Sequence, residues 1–271
     1  MKSRDFSLIV LCFNDAEFLA ETLQSLSTEL EAKDELIVID SSSDRCQVPK
    51  LLSQYAWEAS LSYEWTEPRG VYAAQNRGIA VADGKWIQIL GAGDRLLPGG
   101  RQLLDSVVTA SPGCRIHVFG QVTGLEGSPI NIQRPSPRGV WPHQSIVVAS
   151  EVHHVHGGYD TTLRIVADQV FFAKVRHLEP WASHDELLTY YDLSGLSSRF
   201  NLKTGKELYL KWRSLGRSAP VSAFRGFLSP WARSLLERIL GKKRVASLKR
   251  FINPVAYGQV GSMPPPDRAC R

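Results

Sequence analysis

The sequence predicts an α/β fold, a doubly wound and mainly parallel sheet, with a basic helical extension at its C-terminal end. Three observations lead there. Short apolar runs alternate with helix-period stripes through the first ninety residues, polar clusters follow three of those runs, and the charge changes sign near residue 199. Parallel neighbours need a crossover, and crossovers that are helical cover a parallel sheet on both faces.

Residues 7–13 (SLIVLCF) form a near-continuous apolar run, as in a strand buried on both faces. Asn14 and Asp15 supply cap chemistry, and Phe18, Leu19, Thr22, Leu23 and Leu26 then repeat with helical period. Residues 36–39 (LIVI) predict a second strand, ending in the polar run from Asp40 to Asp44, with a helix after it on Leu51, Leu52 and Tyr55. A third strand is predicted over 61–65, a helix over 72–82 and a fourth strand over 86–90 (WIQIL), which ends in Gly91, Ala92, Gly93 and Asp94. In open α/β sheets ligands bind beyond the carboxyl ends of the strands. The clusters at 14–15, 40–44 and 91–94 all fall there.

The middle third is less regular. Residues 116–122 and 130–133 predict a hairpin or small added sheet, 144–148 a short strand, 168–175 a helix opening at Asp168, and 187–191 a last strand leading into the loop 194–198. Helices are predicted over 202–215 and 229–251, and the proline-containing end, 261–271, is expected to fray.

Composition bounds the function. With 43% hydrophobic and 22% charged residues, the 271-residue chain reads as one large globular domain, residues 1–198, plus the extension 199–271. The longest apolar run, 6–13, falls well short of the roughly 20 residues of a membrane span, and its flanks do not suit a signal peptide, which points to the cytoplasm. Cys12, Cys46, Cys114 and Cys270 are scattered without zinc-ligand spacing and are expected as free thiols. His153, His154 and His156 lack an accompanying carboxylate at metal-site spacing and read as surface or packing residues. The first β-to-α turn, residues 13–17, holds no glycine, which excludes a dinucleotide-binding fingerprint.

In order and spacing, several segments resemble the family-2 glycosyltransferases. SLIVLCFND is similar to their opening strand and ELIVIDSSSD to their second. EPRGVYAAQNRGIAVADGKWIQILGAGD is similar to the segment written E-x-D-x-G-I-Y-D-A-x-N-K-G-I that precedes the metal motif. PHQSIVVAS, GGYDTTLRIVADQVFF and YDLSGLSS resemble later segments, above all of enzymes that build bacterial exopolysaccharides and lipopolysaccharides. The resemblance covers about residues 6–198. It implies a GT-A-type fold and inverting transfer of a sugar from a UDP- or GDP-linked donor to a glycan or lipid-linked acceptor in surface polysaccharide synthesis.

The resemblance also implies site residues. Asp94, keeping only the final acid of the metal motif, is expected to hold Mg²⁺ or Mn²⁺, hard ions that take oxygen ligands and neutralise a departing diphosphate; its alternative is a β-turn aspartate. Phe13, Asn14 and Asp40 are expected at the nucleotide, Asp40 alternatively in an Asx turn. Asn76 and Arg77 can reach the nucleotide from the following helix, Arg77 equally reading as a surface residue. His143 and Gln144 match the H-Q segment near acceptor or diphosphate, His143 alternatively being structural. Asp168 is the expected general base, with helix capping as its other reading. Where relatives carry an acid after G-I-Y this chain has Ala73, and the segment before it is one residue shorter, removing a second acid. Those losses favour a competing class, a degenerate relative that binds nucleotide or glycan as a scaffold.

Residues 199–250 hold 14 Lys+Arg against Glu207 and Glu237, a net charge of +12, whereas residues 1–198 hold 16 Lys+Arg against 24 Asp+Glu, a net −8. Trp231, Leu235, Ile239, Val245, Leu248 and Ile252 form an apolar stripe within this basic stretch. An anionic membrane surface, the inner leaflet of the cell membrane, fits residues 199–251, each Lys or Arg near it contributing about 1 kcal/mol. The alternative is packing on the body or on a second subunit as a homo-oligomer. The acidic main domain argues against nucleic acid.

Overall fold

The structure, a computed structural model, describes residues 4–125, 127–136, 140–193, 202–241, 244–245 and 257–258. The first half alternates as predicted: β1 (Arg4–Cys12), α1 (Ala16–Ser27), β2 (Glu35–Asp40), α2 (Gln47–Leu52), β3 (Ser60–Trp65), α3 (Val71–Val81) and β4 (Gly84–Gly91). There follow β5 (Arg95–Leu96), α4 (Gly100–Ala110), β6 (Ile116–Leu125), β7 (Ser128–Gln133), β8 (Ile146–Ala149), α5 (Ser150–His156), α6 (Ala167–Val175) and β9 (Trp181–Asp192). The basic segment contributes α7 (Leu202–Ser214), α8 (Ala219–Ala223) and α9 (Ser229–Leu240), and β10 (Tyr257–Gly258) closes one edge.

The strands run in the order β10-β7-β6-β8-β4-β1-β2-β3, and β9 pairs with β5 and β6. β3, β2, β1 and β4 are mutually parallel, and β9 is parallel to β6, while β7 and β8 run antiparallel to β6. Chain order reverses at β1, which has β2 on one side and β4 on the other. Such a switch point opens a crevice at the carboxyl ends: the chain leaves β1 for β2 on one side and reaches β4 on the other only from β3, through α3. The register puts Cys12 beside Asp40 and Leu11 beside Gly91.

Each face of the sheet carries its own core. Phe6, Leu8, Val10 and Cys12 of β1 pack with Leu19, Leu23 and Leu26 of α1 and with Leu104 of α4. Ile9, Ile37, Ile39, Ile87 and Ile89 face the other way, onto Tyr72 of α3, Val152 of α5, and Phe171 and Phe172 of α6. Full burial of such a side chain contributes about 1.5–3 kcal/mol, which makes the double-sided strand the largest local source of stability.

Several boundaries differ from expectation for visible reasons. α6 begins at Ala167, so Asp168 lies within its first turn and does not cap it. His143–Ser145 form a 3-10 turn, and strand pairing starts only at Ile146. β9 is twelve residues long, because its polar first half, with Ser183 and Glu186 exposed, still pairs with β6. α9 stops at Leu240, where Gly241 takes φ 81°. The loop 194–198, the remainder of the predicted helix from 246 with Leu248 and Ile252, and the end 261–271 lie outside the described residues.

The basic segment is tied to the body. α7 packs on α6, and Gly226 sits so close to α7 that a Cβ there would meet the Tyr209 backbone nitrogen at 2.8 Å. At the opposite end of the sheet Arg101 and Asp34 form a fully buried bidentate pair, Nε to Oδ2 at 2.7 Å and a second nitrogen to Oδ1 at 3.0 Å. Removing one partner strands the other charge in the core. Asp34→Ala should therefore cost about 3 kcal/mol of unfolding free energy in a denaturant titration, some of the loss being relieved by the remaining contact of Arg101 with Asp105.

Candidate active site

Three groups of side chains line the carboxyl ends of the strands. The first lies at the ends of β1, β2 and β3. Phe13 is 45% exposed, and Asn14 adopts φ 56°, which lets its Oδ1 accept the Ser43 N–H at 2.8 Å while its own N–H donates to Ser42 Oγ at 2.8 Å. Asp40 is fully buried: Oδ1 accepts the Ser42 N–H at 2.8 Å and Oδ2 the Tyr63 hydroxyl at 3.1 Å. It thus shapes the loop through an Asx turn. Burial, and then the Asp40 charge, push the Tyr63 hydroxyl up to about 12. Trp65 donates its ring N–H to the Ser42 carbonyl at 2.9 Å, and the Arg45 guanidinium lies 3.4 Å from its ring centroid, forming a flat cationic platform at the end of β3.

The second group is at the ends of β4 and β9. Asp94 is only 4% exposed; its Oδ2 accepts the Gly91 N–H at 2.8 Å and its Oδ1 the Asp192 N–H at 3.3 Å. Gly93, at φ 94°, turns the chain between Phe18 and Asp192, a conformation that side-chain-bearing residues rarely adopt. Burial, joined by the neighbouring Asp192 carboxylate and opposed by the two amides, raises the Asp94 carboxyl to about 7. Tyr190 donates to Asp192 Oδ2 at 3.4 Å, and the Arg95 guanidinium stacks 4.0 Å above the Tyr190 ring.

The third group surrounds Asp168. Its Oδ1 accepts the Tyr72 hydroxyl at 2.7 Å and its Oδ2 the Gln169 Nε2 at 2.9 Å, and Gln169 is itself fixed on the Trp141 carbonyl at 3.1 Å. His143 Nε2 shares a hydrogen bond of 3.2 Å with the Tyr159 hydroxyl, and its ring packs on Tyr159 and Phe172. Burial lowers the His143 pKa, with Asp168 opposing, so the ring is neutral near pH 7. The Gln144 side chain, half-buried, has no hydrogen-bond partner among the described residues, while its carbonyl accepts the Gln88 amide at 2.8 Å.

The two α3 candidates are engaged elsewhere. Asn76 spends both ends of its amide on the Tyr159 backbone, at 2.8 and 2.7 Å, and Arg77 pairs with Glu64 on β3 at 2.7 Å. Asn76 thus holds the loop that carries Tyr159, and Arg77 occupies its surface alternative. Of the histidine cluster, His153 stacks on Phe171 at 4.9 Å and His156 meets Glu179 at 2.6 Å, packing roles as expected. Tyr72, Tyr159 and Asp192 were not singled out from sequence, although each falls in a segment that carries the resemblance.

Among the described residues no three His, Cys, Asp or Glu side chains are grouped to hold a metal ion. Asp94 and Asp192 do offer two hard oxygen donors side by side. Their mutual repulsion in a desolvated turn is what a divalent cation relieves, so this pair fits Mg²⁺ or Mn²⁺ provided that substrate oxygens and water complete the shell.

Strand-end carboxylates line the switch-point crevice of an α/β protein, and comparison with solved structures gives the chain the GT-A fold. S. aureus TarS in complex with UDP-GlcNAc aligns with a TM-score of 0.62 at 15% identity, covering 93% of this chain and 81% of that one. The mannosyltransferase PcManGT from Pyrobaculum calidifontis, in complex with GDP-Man and Mn²⁺, aligns with a TM-score of 0.61 at 18% identity over 94% and 76% of the two chains. Over residues 7–122 the chain matches the family model described as Glycosyl transferase family 2. A PGL/p-HBAD biosynthesis glycosyltransferase of Mycobacterium tuberculosis is 31% identical over 93 residues, 34% of this chain and 36% of that protein. The chain thus matches about a third of the length of this curated relative.

A carboxyl raised to about 7 holds, between about pH 4 and 7, a proton in the folded state that it lacks when unfolded. Its contribution to stability is complete below the unfolded value and is lost as pH rises through 7. Asp94→Asn should flatten this part of the stability curve, and saturating Mn²⁺ should flatten it in the wild type; thermal melts from pH 4 to 8 measure both.

Proposed function

We propose that the protein transfers a sugar from a UDP- or GDP-linked donor to a glycan or lipid-linked acceptor, with inversion and with Asp168 as general base. The observation that carries this reading is the state of Asp168: in the first turn of α6 its carboxylate does not cap the helix but is aimed by Tyr72 and Gln169. The crevice around Phe13, Asn14 and Asp40 receives the nucleotide, with Arg45 on Trp65 as an added cationic edge. The acceptor hydroxyl oxygen forms its bond to the anomeric carbon from the face opposite the diphosphate; the bond to the diphosphate breaks with its electron pair, and the hydroxyl proton passes to Asp168. Tyr72 and Gln169 orient the carboxylate during that transfer. Neutral His143 and the unoccupied amide of Gln144 are available to acceptor or diphosphate oxygens. When bound at Asp94 and Asp192, Mg²⁺ or Mn²⁺ would supply positive charge to the departing diphosphate. The UDP-GlcNAc and GDP-Man complexes of the structural neighbours support a nucleotide-sugar donor.

A second reading, binding without catalysis, draws on Ala73 standing where relatives carry an acid. Donor-transfer assays separate the two. Asp168→Asn should lower transfer by about 10²- to 10⁴-fold while UDP or GDP affinity, read by calorimetry, stays within about twofold. Equal rates in wild type and variant would refute the base assignment.

The inner membrane surface is the proposed site of action. Phe224, Leu228, Trp231, Leu235 and Ile239 recur at helical spacing along α8 to α9 and are all exposed, Trp231 by 57% and Ile239 by 69%, in a segment of net charge +12. Among the described residues no helix is long and apolar enough to cross a membrane. An apolar stripe on a basic segment suits an anionic leaflet, where lipid-linked acceptors reside. Co-sedimentation with phosphatidylglycerol vesicles should show binding at low salt that falls as salt rises and is lost in Trp231→Glu/Ile239→Glu. Absence of binding, with a dimer in solution that the same variant splits, would assign the stripe to a second copy instead.

A further inference from the structure

α7 opens the basic segment, yet its anchoring face belongs to the transfer site. Glu207 is buried, and its Oε2 accepts the backbone N–H of Arg164 at 2.9 Å and of Ile165 at 2.8 Å, in the turn that leads into α6 and Asp168. Lys211 follows Glu207 by four residues, so it shares that face one helical turn on. Its ammonium lies in the field of the Asp168 carboxylate, the same carboxylate that acts on His143 and Tyr159. Lys211 is half-buried and forms no ion pair among the described residues; its nearest aromatic partner is Trp212, 5.3 Å from Nζ to the ring centroid. Desolvation lowers its pKa and Asp168 works against that shift. An ammonium withdrawn from water without a bonded carboxylate is destabilising unless a ligand completes its shell. The side chains bonded to Asp168, Tyr72 and Gln169, are neutral donors, and Lys211 brings a positive charge to their side of α6.

We infer that Lys211, carried by α7 and set by Glu207, binds a phosphate oxygen of a substrate beside Asp168. The inference rests on the transferase reading and adds to it the residue that recognises the anionic part of the substrate. The phosphate belongs either to the donor diphosphate or to a phosphate-bearing acceptor, and both present the same oxygen chemistry to an ammonium.

The test uses the full chain with Lys211→Ala, Lys211→Met, which keeps an apolar stem beside Trp212, and Lys211→Arg. Calorimetry with UDP and with GDP reads the donor arm. If the donor supplies the phosphate, Ala and Met should weaken nucleotide binding about tenfold or more and Arg should restore most of it, with the melting temperature of the ligand-free Met variant no lower than that of the wild type. If the acceptor supplies it, nucleotide binding stays intact while KM for a phosphate-bearing acceptor rises about tenfold in Ala and Met, with kcat and the KM for a phosphate-free acceptor unmoved. Wild-type nucleotide affinity and acceptor KM in Lys211→Met would overturn the assignment of Lys211 alone. A wild-type chain that binds neither nucleotide would overturn the transferase reading and this inference with it.

Discussion

The position of β1 between two parallel neighbours is the constraint on which the rest of the molecule depends. Its side chains serve two cores at once, Leu8 and Val10 on one face and Ile9 on the other, so the strand cannot slip by one residue without inverting every one of them. That register places the end of β1 level with Asp40 on β2 and Gly91 on β4. Chain order reverses across β1, and the crevice at that reversal is where loops can meet a ligand without blocking it. The loop after β2 and the Gly91–Asp94 turn owe their relative placement to this one strand.

The polar residues of the crevice are mostly committed to one another before any ligand arrives. Asp40 holds the Ser42 amide, Asp94 holds two amides, Asp168 holds Tyr72 and Gln169, and Asn76 holds the Tyr159 backbone. Each bond removes a rotamer choice, so the loops are preorganised and the carboxylates are aimed. Asp94 shows what this costs, since it is buried beside a second acid and its carboxyl rises to about 7. A divalent cation or a phosphate-binding ammonium is the natural complement to such a surface.

Much of the architecture was legible because it obeys a simple period. The first four strands announce themselves as apolar β-branched runs, and the polar clusters at their ends mark the crevice. Legibility fell where the determinants are non-local. β9 was predicted short because its polar first half does not look like a strand; it becomes one by pairing with β6. Asn76 and Arg77 are adjacent in sequence but about 100° apart around α3, so one meets the Tyr159 loop and the other Glu64, and no motif distinguishes these directions. The position of Asp94 was readable, whereas its two amide partners, one of them 98 residues away, were not. α7 was counted as part of a charged tail, because a charge tally weights Glu207 as one acid among many bases and is blind to the two backbone amides it caps.

A nucleotide-linked donor bound across the carboxyl ends of β1, β2 and β4 would shield the loops at those ends from solvent. Hydrogen–deuterium exchange with and without UDP or GDP plus Mn²⁺ addresses it directly. Exchange should slow mainly at residues 13–15, 40–46 and 91–94, with the opposite end of the sheet around Asp34 and Arg101 unchanged. Nucleotide binding that protects some other surface and leaves these three segments as they were would contradict it.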